Sequence, residues 1–170
     1  MIYKLLPENH EMLFQEMQPF DFNNPPCDPE QLALDLIETM RHNQGIGLSA
    51  NQVGLPYRVF VMEGNPAFAC FNPRVVAVSP ELIKLQEGCL SYPNFWIDIK
   101  RPHTVKVRFT TPSGTTTTKT FDEWHGRCFL HELDHLNGKP FYKNATNMQI
   151  EAARKMRTKI IRNKKRLNLK

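Results

Sequence analysis

The sequence predicts an α+β domain in which antiparallel β-sheets surround a central helix, with one further helix on the N-terminal side and one at the C-terminal end. Two observations predict this class. The segments come in the order helix, several strands, helix, helix, and no helix separates consecutive strands, as a parallel sheet would require. A chain of 170 residues is long enough to bury one hydrophobic core without disulfide bonds.

The first element is a helix over about 29–42. Asp28 is a suitable N-cap, Pro29 suits the first helical position and Gln31 completes a capping box. Gly45 is expected to end the helix. Apolar residues recur at every fourth position and predict one buried stripe, formed by Leu32, Leu36 and Met40.

The middle of the chain is rich in short β-prone segments that are separated by Gly, Pro and Asn residues. Such punctuation is typical of strands joined by turns. The last two segments predict a hairpin across Pro112-Ser113-Gly114. The predicted strands cover residues 57–62, 67–71, 75–79, 104–109 and 115–120.

Two more helices follow. The second is predicted over about 123–136, with Asp122 as its N-cap. The third begins near Met148, where Thr146 and Gln149 form another capping box. Its spacing places four residues on one apolar face: Ala152, Ala153, Met156 and Ile160.

Charge divides the chain into two parts. The formal net charge is +5, from 22 Lys and Arg against 17 Asp and Glu. Nine of the basic residues lie in 154–170, which has no acidic residue, so the rest of the chain is mildly acidic. We therefore expect a globular domain over 1–153 and a basic helical extension over 154–170. A nucleic-acid-binding role would rest on that extension alone.

Composition also indicates the compartment. No run of eighteen apolar residues is present, and the apolar part of the N-terminal segment is too short for a secretion signal. The four cysteines are scattered, which is typical of free thiols in a reducing, cytoplasmic setting. They are Cys27, Cys70, Cys89 and Cys128.

The second predicted helix contains an H-E-x-x-H motif. His131 and His135 are four residues apart, so both imidazoles lie on one face and are able to share a metal ion. Glu132 is placed to act as a general base on a metal-bound water. The same face is predicted to be buried along its length, at Trp124, Cys128, His131 and His135.

A hydrolytic metal site needs a third protein ligand. Phe141 stands where one family of H-E-x-x-H proteases has a third histidine, which excludes that arrangement. Glu151 on the next helix is one candidate. Cys89 is the better one, because Gly88 and Pro93 place its soft thiolate on a backbone turn. A metallopeptidase that uses Glu151 is the alternative interpretation.

A glycine-rich segment covers 45–54. Gly45 and Gly47 leave room for another backbone, such as that of a bound peptide. The segment lacks the Gly-Lys-Ser/Thr ending of a phosphate-binding loop.

Taken together, three motifs resemble those of the peptide deformylase family. They are G-x-G-L-S-A-x-Q at 45–52, E-G-C-L-S at 87–91 and H-E-x-D-H at 131–135. Their order along the chain matches the family, and the resemblance extends over about 28–142.

The resemblance implies a role for each matching residue. Cys89, His131 and His135 would bind one divalent metal ion, with Fe²⁺ the metal associated with the family, although Zn²⁺, Ni²⁺ or Co²⁺ also suits such ligands. Glu132 would be the general acid and base. The side-chain amide of Gln52 and the backbone N–H of Leu90 would bind the oxyanion. Residues that would contact the substrate backbone or line the methionine pocket are Gly47, Ile46, Arg101 and Cys128.

The implied function is metal-dependent hydrolysis of the N-formyl group on the N-terminal methionine of nascent polypeptides. A ribosome-docking role for the basic extension is a further hypothesis, since the substrate emerges from an RNA-rich particle. Two departures from the family pattern stand near the site: Ser49 replaces the usual Ala, and Leu130 replaces the Gln that usually precedes the first histidine.

Overall fold

The computed structural model describes residues 1–168. Its three α-helices are α1 (Pro29–His42), α2 (Glu123–Leu136) and α3 (Asn147–Asn168). Three short 3-10 helices cover Glu11–Phe14, Ala50–Val53 and Phe141–Asn144. The seven strands are β1 (Gly47–Ser49), β2 (Val59–Met62), β3 (Phe68–Val78), β4 (Leu82–Cys89), β5 (Tyr92–Pro102), β6 (Thr104–Thr110) and β7 (Thr116–Asp122). Among these residues, none of the helices has the length and apolar character needed to cross a membrane.

The strands form two antiparallel sheets. One sheet has five strands in the order β1-β2-β3-β6-β7, and the other is the hairpin of β4 and β5. Helix α2 packs between these two sheets, with contacts to β2, β6 and β7 on one side and to β5 on the other. The predicted α+β class with antiparallel sheets around a central helix is confirmed.

Helices α1 and α2 have the predicted bounds, but their N-terminal ends differ in detail. Asp28 Oδ1 accepts hydrogen bonds from the backbone N–H groups of Glu30 and Gln31, at 2.9 and 3.3 Å. The predicted capping box at Gln31 is wrong, because this side chain donates to Asp35 instead. Asp122 occupies the N-cap position of α2 without a capping hydrogen bond from its side chain.

The strand predictions were incomplete in two places. Residues 67–71 and 75–79 belong largely to one strand, β3, in which register shifts accommodate the segment around Pro73. The β4–β5 hairpin was not predicted as strands, because β4 is rich in Lys, Gln and Glu and β5 contains Pro93 and Pro102. Long-range pairing overrides these weak local preferences.

Three apolar clusters fix the helices. Leu36 and Met40 of α1 pack with Leu48 and Val61, while Phe129 of α2 packs on Phe60 at a ring-centroid distance of 5.0 Å. The third cluster joins α3 to the hairpin through Ala153, Phe95, Ile97, Ile99 and Phe141. The cluster that contains Phe60 and Phe129 holds α2 in place. The opposite face of α2 therefore meets the β4–β5 hairpin at a fixed angle.

Helix α3 crosses the boundary predicted at 153/154 without a break. Its capping box forms as predicted, with Thr146 and Gln149 bonded to each other's backbone and side chain. The predicted apolar face is partly wrong: Ala153 is buried and Ile160 half-buried, whereas Ala152 and Met156 are exposed. Residues 169 and 170 of the basic extension lie outside the described residues.

Candidate active site

Helix α2 carries two histidines into the interior of the domain. The exposed fractions of His131 and His135 are 7% and 1%, and Cys128 is also buried. Trp124 differs from the expectation, because it lies one turn nearer the helix start and is 40% exposed. The buried face of α2 therefore begins after Trp124 and ends at the two imidazoles.

The β4–β5 hairpin brings Cys89 to these histidines. A register shift after Glu87 pairs Cys89 with Tyr92 at the turn, and the Cys89 Sγ lies 3.1 Å from the His135 Nε2. The ligand atoms of Cys89, His131 and His135 all lie within 4.8 Å of one another. This is the one group of metal-ligating side chains found among residues 1–168. Glu151, the rival third ligand, is exposed on α3 and does not belong to it.

Glu87 stands behind the metal-ligating group and was not singled out from the sequence. One carboxylate oxygen accepts from the Nε of Arg101 and the Nη1 of Arg127, both at 2.6 Å. The other lies 3.0 Å from the Nδ1 of His131, which leaves the Nε2 of this ring facing Cys89 and His135. The position of Glu87 in the E-G-C motif, two residues before Cys89, was the sequence signal that could have identified it.

The electrostatics of this group favour a cation. Burial lowers the pKa of His131, but its interactions with Cys89 and Glu87 outweigh burial and raise the pKa to about 10. Burial, together with the positive charges of His131 and Arg101, lowers the pKa of His135 well below its ordinary value. The site thus stabilises a buried positive charge, and a divalent metal would supply that charge in place of the proton on His131, with the imidazoles bound in their neutral form.

The sequence led us to expect that Arg101 lines the substrate pocket. In the structure it does not line the cavity in front of the metal-ligating group. Its side chain is buried and donates to Glu87 and, at 2.8 Å, to Asp134. Burial alone would raise the pKa of Glu87, but hydrogen bonds from His131 and Arg101 lower it to about 2. Arg101 therefore keeps Glu87 ionised behind the metal-ligating group.

Glu132 is held from two sides. The Ser49 hydroxyl donates to the Glu132 Oε2 at 2.6 Å, and the backbone of Gly47 lies against the Oε1. A methyl group at Gly47 would overlap this oxygen and would lie 2.8 Å from the Cys128 Sγ. Burial raises the pKa of Glu132, although the positive charge of His131 and the Ser49 hydrogen bond oppose the rise. A carboxyl group with a raised pKa is suited to take up and return a proton.

Gln52 and Leu90 both border the metal-ligating group. Gln52 is buried, and its Oε1 accepts from the backbone N–H of Ser49 at 2.8 Å. Its Nε2 donates to the Ser91 Oγ at 3.0 Å and lies 3.5 Å from the Cys89 Sγ. Leu90 follows Cys89 directly and lines the cavity that lies in front of the metal-ligating group.

The cavity in front of this group has a volume of about 580 Å³. Ile46, Gly47 and Cys128 line it as predicted, together with Gln52, Glu132 and His131. Two tryptophans that sequence reasoning did not assign to the pocket also line it. Trp96 packs over Gly88, where an added Cβ would lie 2.6 Å from the indole, and Trp124 stands at the start of α2.

Substitution of Glu87 tests its support of the metal-ligating group. Glu87→Gln should weaken metal binding by about 10- to 100-fold, because His131 loses the carboxylate that orients it. It should also destabilise the fold by about 3–5 kcal/mol, since the buried Arg127 loses its counter-charge and Arg101 keeps only Asp134. Metal titration and denaturant unfolding measure the two effects.

A matched control is Glu63→Gln. Glu63 also accepts two hydrogen bonds from an arginine, Arg41, but at the surface. This change should cost less than about 1 kcal/mol and leave metal affinity unaltered. Equal metal affinity in the Glu87 and Glu63 variants would contradict the role of Glu87.

Comparison with known proteins identifies the family. The family described as polypeptide deformylase matches residues 2–151. A peptide deformylase of Thermotoga petrophila is 42% identical over 104 residues, which cover 61% of this chain and 63% of that protein. Peptide deformylase 1 of Nostoc sp. is 38% identical over 126 residues, which cover 71% of this chain and 67% of the relative.

Solved structures agree. The peptide deformylase of Thermotoga maritima superposes with a TM-score of 0.79 at 33% identity, over 86% of this chain and 99% of that one. That of Legionella pneumophila gives a TM-score of 0.83 at 28% identity, over 98% and 99% of the two chains. The sequence, the fold and the Cys-His-His group of this chain show that it belongs to the polypeptide deformylase family.

Proposed function

We propose that this protein is a peptide deformylase, which removes the N-formyl group from the N-terminal methionine of nascent polypeptides by hydrolysis. One observation carries the proposal: Cys89, His131 and His135 converge beside Glu132 on a cavity that reaches the surface. The alternative metallopeptidase is not favoured, because its third ligand, Glu151, is exposed on α3.

The three converging side chains would hold one divalent ion, for which we propose Fe²⁺, with Zn²⁺, Ni²⁺ or Co²⁺ as substitutes that the same ligands accept. When bound, the metal supplies Lewis-acid activation of water and of the formyl oxygen. Glu87 fixes the tautomer of His131 by occupying its Nδ1, so that the Nε2 is the ligand atom.

Glu132 moves the proton. In our proposal it accepts a proton from the attacking water and delivers it to the amine that leaves as the formyl C–N bond breaks. The products are formate and a free N-terminal methionine. Because Ser49 holds the Oε2 in place, the carboxylate has little freedom to turn away between the two transfers.

Gln52 and Leu90 would stabilise the negative charge that develops on the formyl oxygen. The Gln52 amide is already oriented, since its own oxygen is bonded to the backbone of Ser49, and the Leu90 N–H follows the ligand Cys89 in sequence. A preorganised donor of this kind typically contributes about 3 kcal/mol to the transition state.

The cavity would bind the methionine. The methionine side chain would pass between Ile46 and Cys128. The peptide backbone would run along Gly47, which has no side chain to obstruct it. Arg101 would contribute indirectly, through Glu87 and Asp134. Within this proposal, 1–153 is the catalytic unit, and the cytoplasm, where nascent chains are made, is its location.

The direct test is formate release from N-formyl-Met-Ala-Ser, with metal analysis of the purified protein. Cys89→Ala should lose both metal and turnover. Cys27→Ala, which changes another half-buried cysteine, should keep both. Metal retention by the Cys89 variant, with undiminished turnover, would remove this ligand assignment.

Gly47→Ala tests the close approach of β1 to Glu132. The new methyl group should displace the Glu132 carboxylate and lower kcat by at least about 100-fold, the usual scale of general-base catalysis. Metal content should stay near one per chain, since the atoms nearest to the new methyl group belong to Glu132 and Cys128 and not to a metal ligand. Gly114→Ala is the matched control: its φ of 82° makes the change costly to the local backbone, but its methyl group meets only Phe22, at 3.7 Å, so turnover should be unchanged. An active Gly47 variant would contradict the geometry.

We also propose that the basic extension, 154–170, docks on the ribosome. Over its described part, α3 exposes a series of basic side chains that includes Lys155, Lys159, Arg162 and Lys165. Contacts between cations and RNA phosphates release counterions, so such docking weakens steeply as salt rises.

Changing those four residues to Gln keeps helix propensity and removes charge. Sedimentation with ribosomes should then show weaker binding and a shallower salt dependence, with turnover of small formyl-peptides unchanged. The matched control removes four exposed charges from the body of the domain: Lys4, Lys100, Lys106 and Arg108. Equal ribosome affinity for the two variants would refute docking through the extension.

A further inference from the structure

A second cavity lies directly beside the one that contains the metal-ligating group. Its volume is about 330 Å³. Leu85, Trp124 and Arg127 line both cavities, so their side chains form a shared wall. Beyond this wall the lining consists of two apolar residues, Ile83 and Pro102, and two polar ones, His103 and Glu123.

Arg127 is a fixed part of the wall. Its Nη1 donates to the Glu87 carboxylate at 2.6 Å and to the Ile99 carbonyl at 2.9 Å, and its Nη2 donates to the Ile83 carbonyl at 2.6 Å. The side chain is 8% exposed. Movement of this guanidinium would break a buried ion pair, which is costly.

Trp124 is held much less firmly. It is 40% exposed, and it stacks on its neighbour His125 with ring centroids 3.6 Å apart. It follows Glu123, whose φ of 46° lies in the left-handed region, where non-glycine residues are strained. This backbone conformation sets the direction in which the chain enters α2, and the indole is the largest side chain in the shared wall.

We propose that Trp124 is a specificity-determining residue, which closes the metal-site cavity against the second cavity and so limits the length of the first side chain of the substrate. The inference rests on the proposed deformylase function and concerns the same site. A methionine side chain stops at the wall. A longer unbranched chain meets the indole in the wild-type protein, and would enter the second cavity if the indole were absent.

The test uses N-formyl peptides whose first residue is norleucine, equal in length to methionine, or 2-aminooctanoic acid, two methylenes longer. Wild type should have a kcat/KM at least about tenfold lower for the longer residue. Trp124→Ala should process the longer residue as well as norleucine or better, by up to about fourfold per added methylene that becomes buried. Trp124→Leu, which keeps an apolar helix-forming residue, should show the same change to a smaller extent.

Two control variants distinguish opening of the shared wall from a general loss of rigidity in the active site. Trp96 also lines the metal-site cavity and is 55% exposed, but it does not line the second one. Trp96→Ala should keep the wild-type ratio between the two substrates. Ile83 lines the second cavity alone, so adding Ile83→Phe to Trp124→Ala should fill that space and restore the discrimination.

The outcomes separate this inference from the proposed function. Failure of wild type to release formate from N-formyl-Met-Ala-Ser would overturn the function itself. If wild type is active and Trp124→Ala keeps the wild-type ratio, the function stands and the inference is wrong. An equal change in the Trp96 variant, or no effect of Ile83→Phe, would likewise overturn the role of the shared wall.

Discussion

The Glu87 carboxylate is the interaction on which the remaining features of the site depend. It joins strand β4 to Arg101 on β5 and to Arg127 and His131 on α2, and the two α2 residues lie 40 and 44 positions further along the chain. A carboxylate buried in this way is stable only where opposite charges and hydrogen bonds replace the water that it has lost. Both arginines and the imidazole meet that requirement in one geometry. The hairpin is therefore fixed over α2, and Cys89, two residues after Glu87, is brought against His135.

Apolar packing holds the other side of α2. Phe129 and Leu136 are fully buried in the cluster beneath the helix, so α2 cannot rotate without exposing large side chains to water. Strand β1 then approaches so closely that only glycine fits at position 47, and Ser49 reaches the Glu132 carboxylate. This carboxylate is oriented before any substrate arrives, which is the form of preorganisation on which electrostatic catalysis relies.

The same network explains how a cationic side chain can line a largely apolar cavity. Arg127 borders the space proposed for methionine, yet its charge is matched by Glu87 and two backbone carbonyls. The Arg127 guanidinium therefore forms a rigid part of the cavity wall, and its charge is already paired. The neighbouring Trp124 has no comparable anchorage, and this difference within one wall makes the tryptophan the residue on which pocket depth depends.

The sequence by itself determined the features that arise from short-range periodicity. The bounds of α1 and α2 follow from apolar spacing and, in α1, from the Asp28 cap, and the i, i+4 histidines with Glu132 follow from the helical repeat. Motif resemblance identified Cys89 and Gln52. Tertiary structure alone decided that β4 and β5 pair and that Glu87 and Arg101 form a buried ion pair behind the metal-ligating group. It also decided that Trp124 is partly exposed and lies in the wall shared by the two cavities. Each of these depends on residues far apart in sequence, whose contacts outweigh local preferences. The E-G-C motif marks the position of Glu87, but no local pattern indicates which residues it contacts.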